Sequence, residues 1–180
     1  MKVGICGKMA SGKTTLANTL CDDLQFKKYS LAKAVKDFAN FLFDIPEGHK
    51  DRVAYQKVGD GGRKILFPNL WIDTLLNQIK NNGTDLAVID DVRYENEVVN
   101  LKNDGWIIIK LDISDNLQLD RLKRTYPNDW ETHANARTHP SESEVDMIPE
   151  SYFDLIIESC DTQESIRRLK NYLNGMMASQ

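Results

Sequence analysis

The chain has 180 residues, 41% apolar and 28% charged, a balance that suits one soluble globular domain with a real core. Its net charge of −4, from 23 basic and 27 acidic side chains, argues against general attraction to nucleic acid or an anionic membrane. Any anionic ligand must therefore meet a local cluster of cations. The 3 cysteines, Cys6, Cys21 and Cys160, make no CxxC pair and no metal spacing, and so read as free thiols of a reducing compartment. The N-terminus is too short in apolar residues for a signal peptide, and no apolar run reaches the roughly 18 residues of a membrane span. A soluble, cytoplasmic protein is expected.

In chain order, "KVGIC" (2–6) reads as a buried first strand, and "TTLANTLCDDL" as a helix with Leu16, Leu20 and Leu24 on one face. "FKKYS" (26–30) is a weak second strand. "LAKAVKDFANFLF" is a helix that the proline and glycine of "IPEGHKDR" end. "GDGGRK" reads as a glycine-rich loop, and "NLWIDTLLNQIK" (69–80) as a helix. "LAVID" (86–90) is a strand buried on both faces, "ENEVVNLKNDG" a helix closed by glycine, and "WIIIKLDI" (106–113) another buried strand. "DNLQLDRLKRT" is a helix that opens into a polar, proline-bearing stretch up to Pro149, a mobile loop or a pair of short helices. "FDLIIES" (153–159) and "TQESIRRLKNYLNGM" supply a last strand and helix. Alternating strands and helices predict an α/β fold, three layers deep, with a five-stranded parallel sheet whose ligands collect at the carboxyl ends of the strands.

"GKMASGKT", Gly7 to Thr14, fits G-x-x-x-x-G-K-[ST] in full, with a predicted strand before it and a helix after it. Gly7 and Gly12 allow backbone angles and close approach that a Cβ would forbid. Backbone N–H groups from Met9 through Ala10 and Ser11 to Thr14 can then surround a phosphate at a helix N-terminus. Lys13 brings a full charge to the terminal phosphates and Thr14 a hydroxyl to Mg²⁺, while Lys8, Ser11 and Thr15 support the loop. ATP and Mg²⁺ are the expected ligands.

Asp90 and Asp91 close a buried strand, with Arg93 just beyond. One of them can hold the metal or meet the attacking oxygen, and Asp91 is read as the nearer to the strand end, although spacing does not separate the two. The alternative is that the pair caps the next helix. Arg121, Lys123 and Arg124 end a helix, where they either face solvent or neutralise charge on a transferred phosphoryl group. Lys33 and Lys36 start the second predicted helix. Arg63 follows two glycines that would free its guanidinium for an oxyanion, unless the loop simply lies on the surface. His133 and His139 lack metal spacing, and His139 is expected to have no catalytic role.

"GKMASGKTT", "YSLAKAVKDF", "GDGGRKI", "LWIDTL" and above all "VIDDVRYENEV" with "LKNDGWIIIKL" resemble the deoxynucleoside monophosphate kinases of tailed bacteriophages, from Met1 to about Ser143. The resemblance implies a single P-loop kinase domain over 1–180, with an acceptor-binding insertion at about 31–80 and a mobile lid at about 121–149. It implies ATP held by Gly12, Lys13 and Thr14, and Asp91 at the reaction centre. Arg121 and Arg124 would reach over the phosphates. Arg63 and Arg93 would lie on the acceptor side, with Asp90 and Lys33 near them. It further implies γ-phosphate transfer to a deoxynucleoside monophosphate, and it makes a homodimer through "NFLFDI" an option. The alternatives are another P-loop kinase, acting on dephospho-coenzyme A or a polynucleotide, or an ATP-dependent switch.

Overall fold

In β1 (Lys2–Gly7) both faces are apolar, which places the strand at the middle of the sheet. Val3 and Ile5 turn to one side and Cys6 to the other, all fully buried. The computed structural model describes residues 1–49, 51–138 and 140–178. His139 therefore lies outside the described residues. After β1 come α1 (Lys13–Leu24), β2 (Lys27–Tyr29), α2 (Leu31–Phe43) and α3 (Arg52–Gly61). A π-helical turn, Gly62–Leu66, leads into α4 (Leu70–Asn81), β3 (Ala87–Val92), α5 (Glu95–Asn103) and β4 (Ile107–Asp112). The chain continues through α6 (Asp115–Thr125), α7 (Trp130–Asn135), α8 (Pro140–Met147), β5 (Leu155–Glu158) and α9 (Thr162–Ala178).

The 5 strands are all parallel, in the order β2-β3-β1-β4-β5. β1, which carries the glycine loop, thus lies between β3 and β4, and both aspartates end up beside that loop. Helices cover both faces. One core packs α1 and α9 against Val3, Ile5, Val88, Ile109 and Leu111; the other packs α2, α4 and α5 against Cys6, Ile89 and Ile108. This is the expected three-layer α/β/α arrangement. Burial pushes the Cys6 thiol up to about 12, so it is an inert packing group. Cys21 is half-buried and Cys160 exposed.

Two expectations change. "GDGGRK" is not an open loop: α3 and the π-helical turn run straight through its glycines. Asp51 caps α3 by accepting from the Ala54 N–H, and Ala54 and Val58, four apart, are buried. Gly62 is needed for packing, since a Cβ there would lie 2.7 Å from Cζ2 of Trp71. The indole N–H of Trp71 donates to the Gly59 carbonyl at 3.0 Å, which locks α4 to α3. In the polar stretch, α8 buries Val145, and Ile148 just beyond it is buried as well, both in the same core as β1 and β3. That part of the expected lid is anchored to the domain.

α2, α3 and the π-helical turn also leave a broad apolar face open. Phe41 is 85% exposed, and Ile65, 82% exposed, lines a groove of about 560 Å³ together with Phe38, Leu42 and Trp71. No helix among the described residues is long and apolar enough to cross a membrane.

Candidate active site

The glycine loop bends as its spacing demands. Gly7, Ala10 and Gly12 all have positive φ, at 152°, 60° and 98°. A Cβ on Gly7 would come 2.7 Å from the Leu111 carbonyl oxygen, so only glycine fits between the loop and β4. Met9, Ala10, Gly12, Lys13, Thr14 and Thr15 line a cleft of about 620 Å³ at the carboxyl end of the sheet. Gly7 and Ser11 are not on its wall. Ser11 is buried beneath the loop and donates its N–H to the Lys8 carbonyl. These two shape the cradle from below.

Lys13 begins α1, and its ammonium donates to the carbonyls of Gly7 (2.7 Å) and Lys8 (2.6 Å). Burial, reinforced by the Arg93 charge, lowers its pKa to about 7. Without a phosphate, this lysine is therefore only about half charged near pH 7.

The two strand-end aspartates face opposite ways, as successive strand residues must. Asp90 turns toward α1. Its Oδ2 accepts from the Thr14 hydroxyl at 2.8 Å and pairs with Lys28 Nζ at 2.7 Å. Asp91 turns toward α2 and caps it, accepting from Ser30 Oγ and from the N–H groups of Leu31 and Ala32 at 2.7–3.0 Å. The Thr14 hydroxyl thus meets Asp90, while Asp91, which lines the same cleft, spends its carboxylate on the first turn of α2. The Thr14–Asp90 oxygen pair suits Mg²⁺, a hard cation usually held by one or two protein oxygens plus water and phosphate. Among the described residues no group of three His, Cys, Asp or Glu could hold a metal by itself.

Arg121 reaches back from α6 as a strut. It donates to the Ala10 carbonyl at 3.0 Å, to Ser159 Oγ at 2.8 Å and to the Ser159 carbonyl at 2.6 Å. Its guanidinium thus braces the loop at the cleft wall. Arg124, one turn on, lines the same cleft from an exposed position, and among the described residues it has no ion pair.

Beyond Asp91 and Arg93 a second cavity opens, of about 250 Å³. Leu31, Val35 and Tyr55 give it apolar walls, and Lys36, Arg63 and Tyr94 supply polar groups. Arg63 lies over the Tyr94 ring at 4.7 Å and donates to Glu97 at 3.3 Å. Glu97 is fully buried, which raises its pKa. It remains tied by the backbone N–H groups of Arg93 and Tyr94, at 2.9 and 3.1 Å, in the capping box that starts α5. Lys33, expected here, instead pairs with Asp37 on the exposed side of α2. Helical phase gives the cavity wall to Lys36, three residues later.

Sequence reasoning passed over Glu97 and Glu142. Glu97 lies inside the "DVRYENE" string, and its capping-box spacing was the available signal. Glu142, on α8, pairs with Arg93 and accepts from the Met9 N–H at 2.6 Å. No spacing rule links residues 133 apart, so it had no local signal.

No family model matches the sequence, and no curated protein matches it. Solved structures do resemble it. A shikimate kinase from Aquifex aeolicus is 18% identical, with a TM-score of 0.61 and both chains covered at 100%. A sugar kinase from Janibacter sp. is 14% identical, with a TM-score of 0.59 over 96% of this chain and 94% of its own. The deoxyadenosine kinase from M. mycoides, solved with bound dATP, is 16% identical with a TM-score of 0.53, covering 97% of this chain and 100% of its own. With its five parallel strands between two helical layers and its glycine loop at the end of the central strand, this chain has the fold of the P-loop kinases.

Proposed function

We propose that the protein is an ATP-dependent phosphotransferase that moves the γ-phosphate of ATP onto the phosphate of a deoxynucleoside monophosphate. The observation that carries this reading is the meeting of two cavities along one edge, Asp91–Arg93. A triphosphate seated in the loop cleft points its terminal phosphate at that edge, and an acceptor in the second cavity reaches it from the other side. The acceptor oxygen forms a bond to the γ-phosphorus as the bond to the β–γ bridging oxygen breaks, and ADP leaves. A phosphate monoester dianion is already a competent nucleophile, so no strong general base is needed.

Each residue has a separate task. Lys13 and the loop amides hold the transferred and leaving phosphates. Thr14 and Asp90 would hold Mg²⁺, which would offset charge on the phosphates. Arg124 is placed to meet charge that grows in the transition state, and Arg121 keeps the loop in shape for it. Arg93 and Arg63 suit the acceptor phosphate, and the faces of Tyr55 and Tyr94 suit a flat base. Asp91 positions α2 so that its first turn walls the acceptor cavity.

The test is an acceptor panel. Protein, Mg²⁺ and ATP are incubated with each common NMP and dNMP, and with shikimate, dephospho-coenzyme A and oligonucleotide ends. ADP formation above the acceptor-free control with a dNMP is expected. Stimulation by one of the other acceptors alone would replace the acceptor and keep the kinase, whereas ATP binding with no stimulated turnover would favour a switch. Self-association, the remaining expectation, would use the exposed apolar face of α2. Sedimentation velocity on wild type and Phe41→Glu checks it, with a lighter species expected for the variant.

A further inference from the structure

Glu142 is 2% exposed, and both of its carboxylate oxygens are taken. One accepts from the Met9 N–H in the middle of the glycine loop, and the other pairs with the Arg93 guanidinium. A buried carboxylate is costly unless it is fully paired, so this arrangement constrains both partners as strongly as it constrains Glu142. The element that carries it is itself held from two sides. Val145 and Ile148 enter the core, Asp146 pairs with Lys8 of the loop at 2.6 Å, and Lys8 also faces Asp115 at 3.7 Å. Asp115 in turn binds Arg137 at 2.7 Å. The glycine loop is thus clamped at two adjacent residues, Lys8 and Met9, by one short helix.

We infer that Glu142 is a positioning residue that sets the donor loop and the acceptor arginine from a single carboxylate. Met9 belongs to the cleft that takes the triphosphate, and Arg93 borders both cavities. Only a charged group with two oxygens can accept from the amide and neutralise the guanidinium together. Burial lowers the pKa of Arg93, so loss of the Glu142 charge would weaken the hold on a desolvated cation.

The acceptor half of the test rests on the phosphotransferase reading; the donor half does not. Glu142→Gln keeps an oxygen for the Met9 N–H and loses the charge facing Arg93, whereas Glu142→Ala loses both. ADP affinity, measured by calorimetry without acceptor, should stay within about threefold of wild type in Glu142→Gln and weaken about tenfold in Glu142→Ala, the scale of losing a hydrogen bond that orients a binding group. With the acceptor found in the panel, Glu142→Gln should raise the acceptor KM about tenfold or more while the ATP KM moves little. Equal ADP affinity in all three proteins would overturn the donor half, and an unchanged acceptor KM in Glu142→Gln the acceptor half. A wild type without acceptor turnover would sink the functional reading and leave the ADP comparison to decide this one. Loss of folding in both variants would also overturn the inference, because aiming two groups is not needed to keep Val145 and Ile148 in the core.

Discussion

The proposed donor cleft takes a large share of its wall from one short stretch between Met9 and Thr15, whereas the proposed acceptor cavity collects side chains from α2, α3, the π-helical turn, β3 and α5. In the cleft, geometry follows from local rules: two glycines, a lysine and a hydroxyl at fixed spacing between a strand and a helix. In the cavity, several wall residues depend on a contact made farther along the chain, such as Gly59 on Trp71 or Arg63 on Glu97. A site made locally tolerates change in the rest of the domain, while one assembled from distant pieces can change its ligand by repacking. The solved shikimate, sugar and deoxyadenosine kinases each resemble this chain in fold.

The sharpest cut between the two regions is Lys13→Ala. It should lower kcat by on the order of 10³-fold with the fold intact, as judged by turnover and circular dichroism. Unchanged turnover would detach the donor cleft from the chemistry. Next come the paired aspartates. Asp90→Asn should cost about 10²-fold in turnover and raise the Mg²⁺ concentration needed for half-activity. Asp91→Asn should instead destabilise the protein by about 1–2 kcal/mol through the lost cap of α2. If the Mg²⁺ requirement moved with Asp91 and not with Asp90, the division drawn between their two faces would be wrong.

On the acceptor side, Gly62→Ala should lower stability by about 1–3 kcal/mol in urea unfolding, since the new methyl overlaps the Trp71 ring. The acceptor KM should rise while ADP affinity holds, so equal losses at both sites would blur the comparison.

The smallest effect is a pH dependence confined to the donor cleft. Lys13 has a pKa of about 7 in the free protein, and a bound phosphate favours its charged form. Below pH 7 the lysine is already protonated and binding needs no proton. Above pH 7 binding must take one up, so ADP affinity should fall with a slope approaching about tenfold per pH unit. Calorimetry in buffers of different ionisation heat should show proton uptake at pH 8, and Lys13→Arg should abolish it, because arginine stays charged.

The strand–loop–helix unit, the five strands and their helical covers could be read from the sequence because apolar runs and glycine spacing are local signals. The choice between Asp90 and Asp91 could not, because β3 is apolar on both faces and its pattern carries no parity. α3 was hidden for a related reason: the glycines at its end suggest a loop, yet Gly62 is there to admit Trp71. Lys36 replaced Lys33 by one helical turn, an error of phase along α2. Glu142 is a purely tertiary feature, placed by a helix whose polar sequence gave no reason to dock on the loop.

The three thiols differ in reach. Cys6 is sealed and Cys21 half-covered, while Cys160 stands in solvent directly after Ser159, the residue that fastens Arg121 to the loop. The native chain therefore offers a labelling handle two residues before Thr162, which lines the proposed nucleotide cleft. A maleimide dye attached there would report occupancy by a change in emission, with no engineered cysteine required.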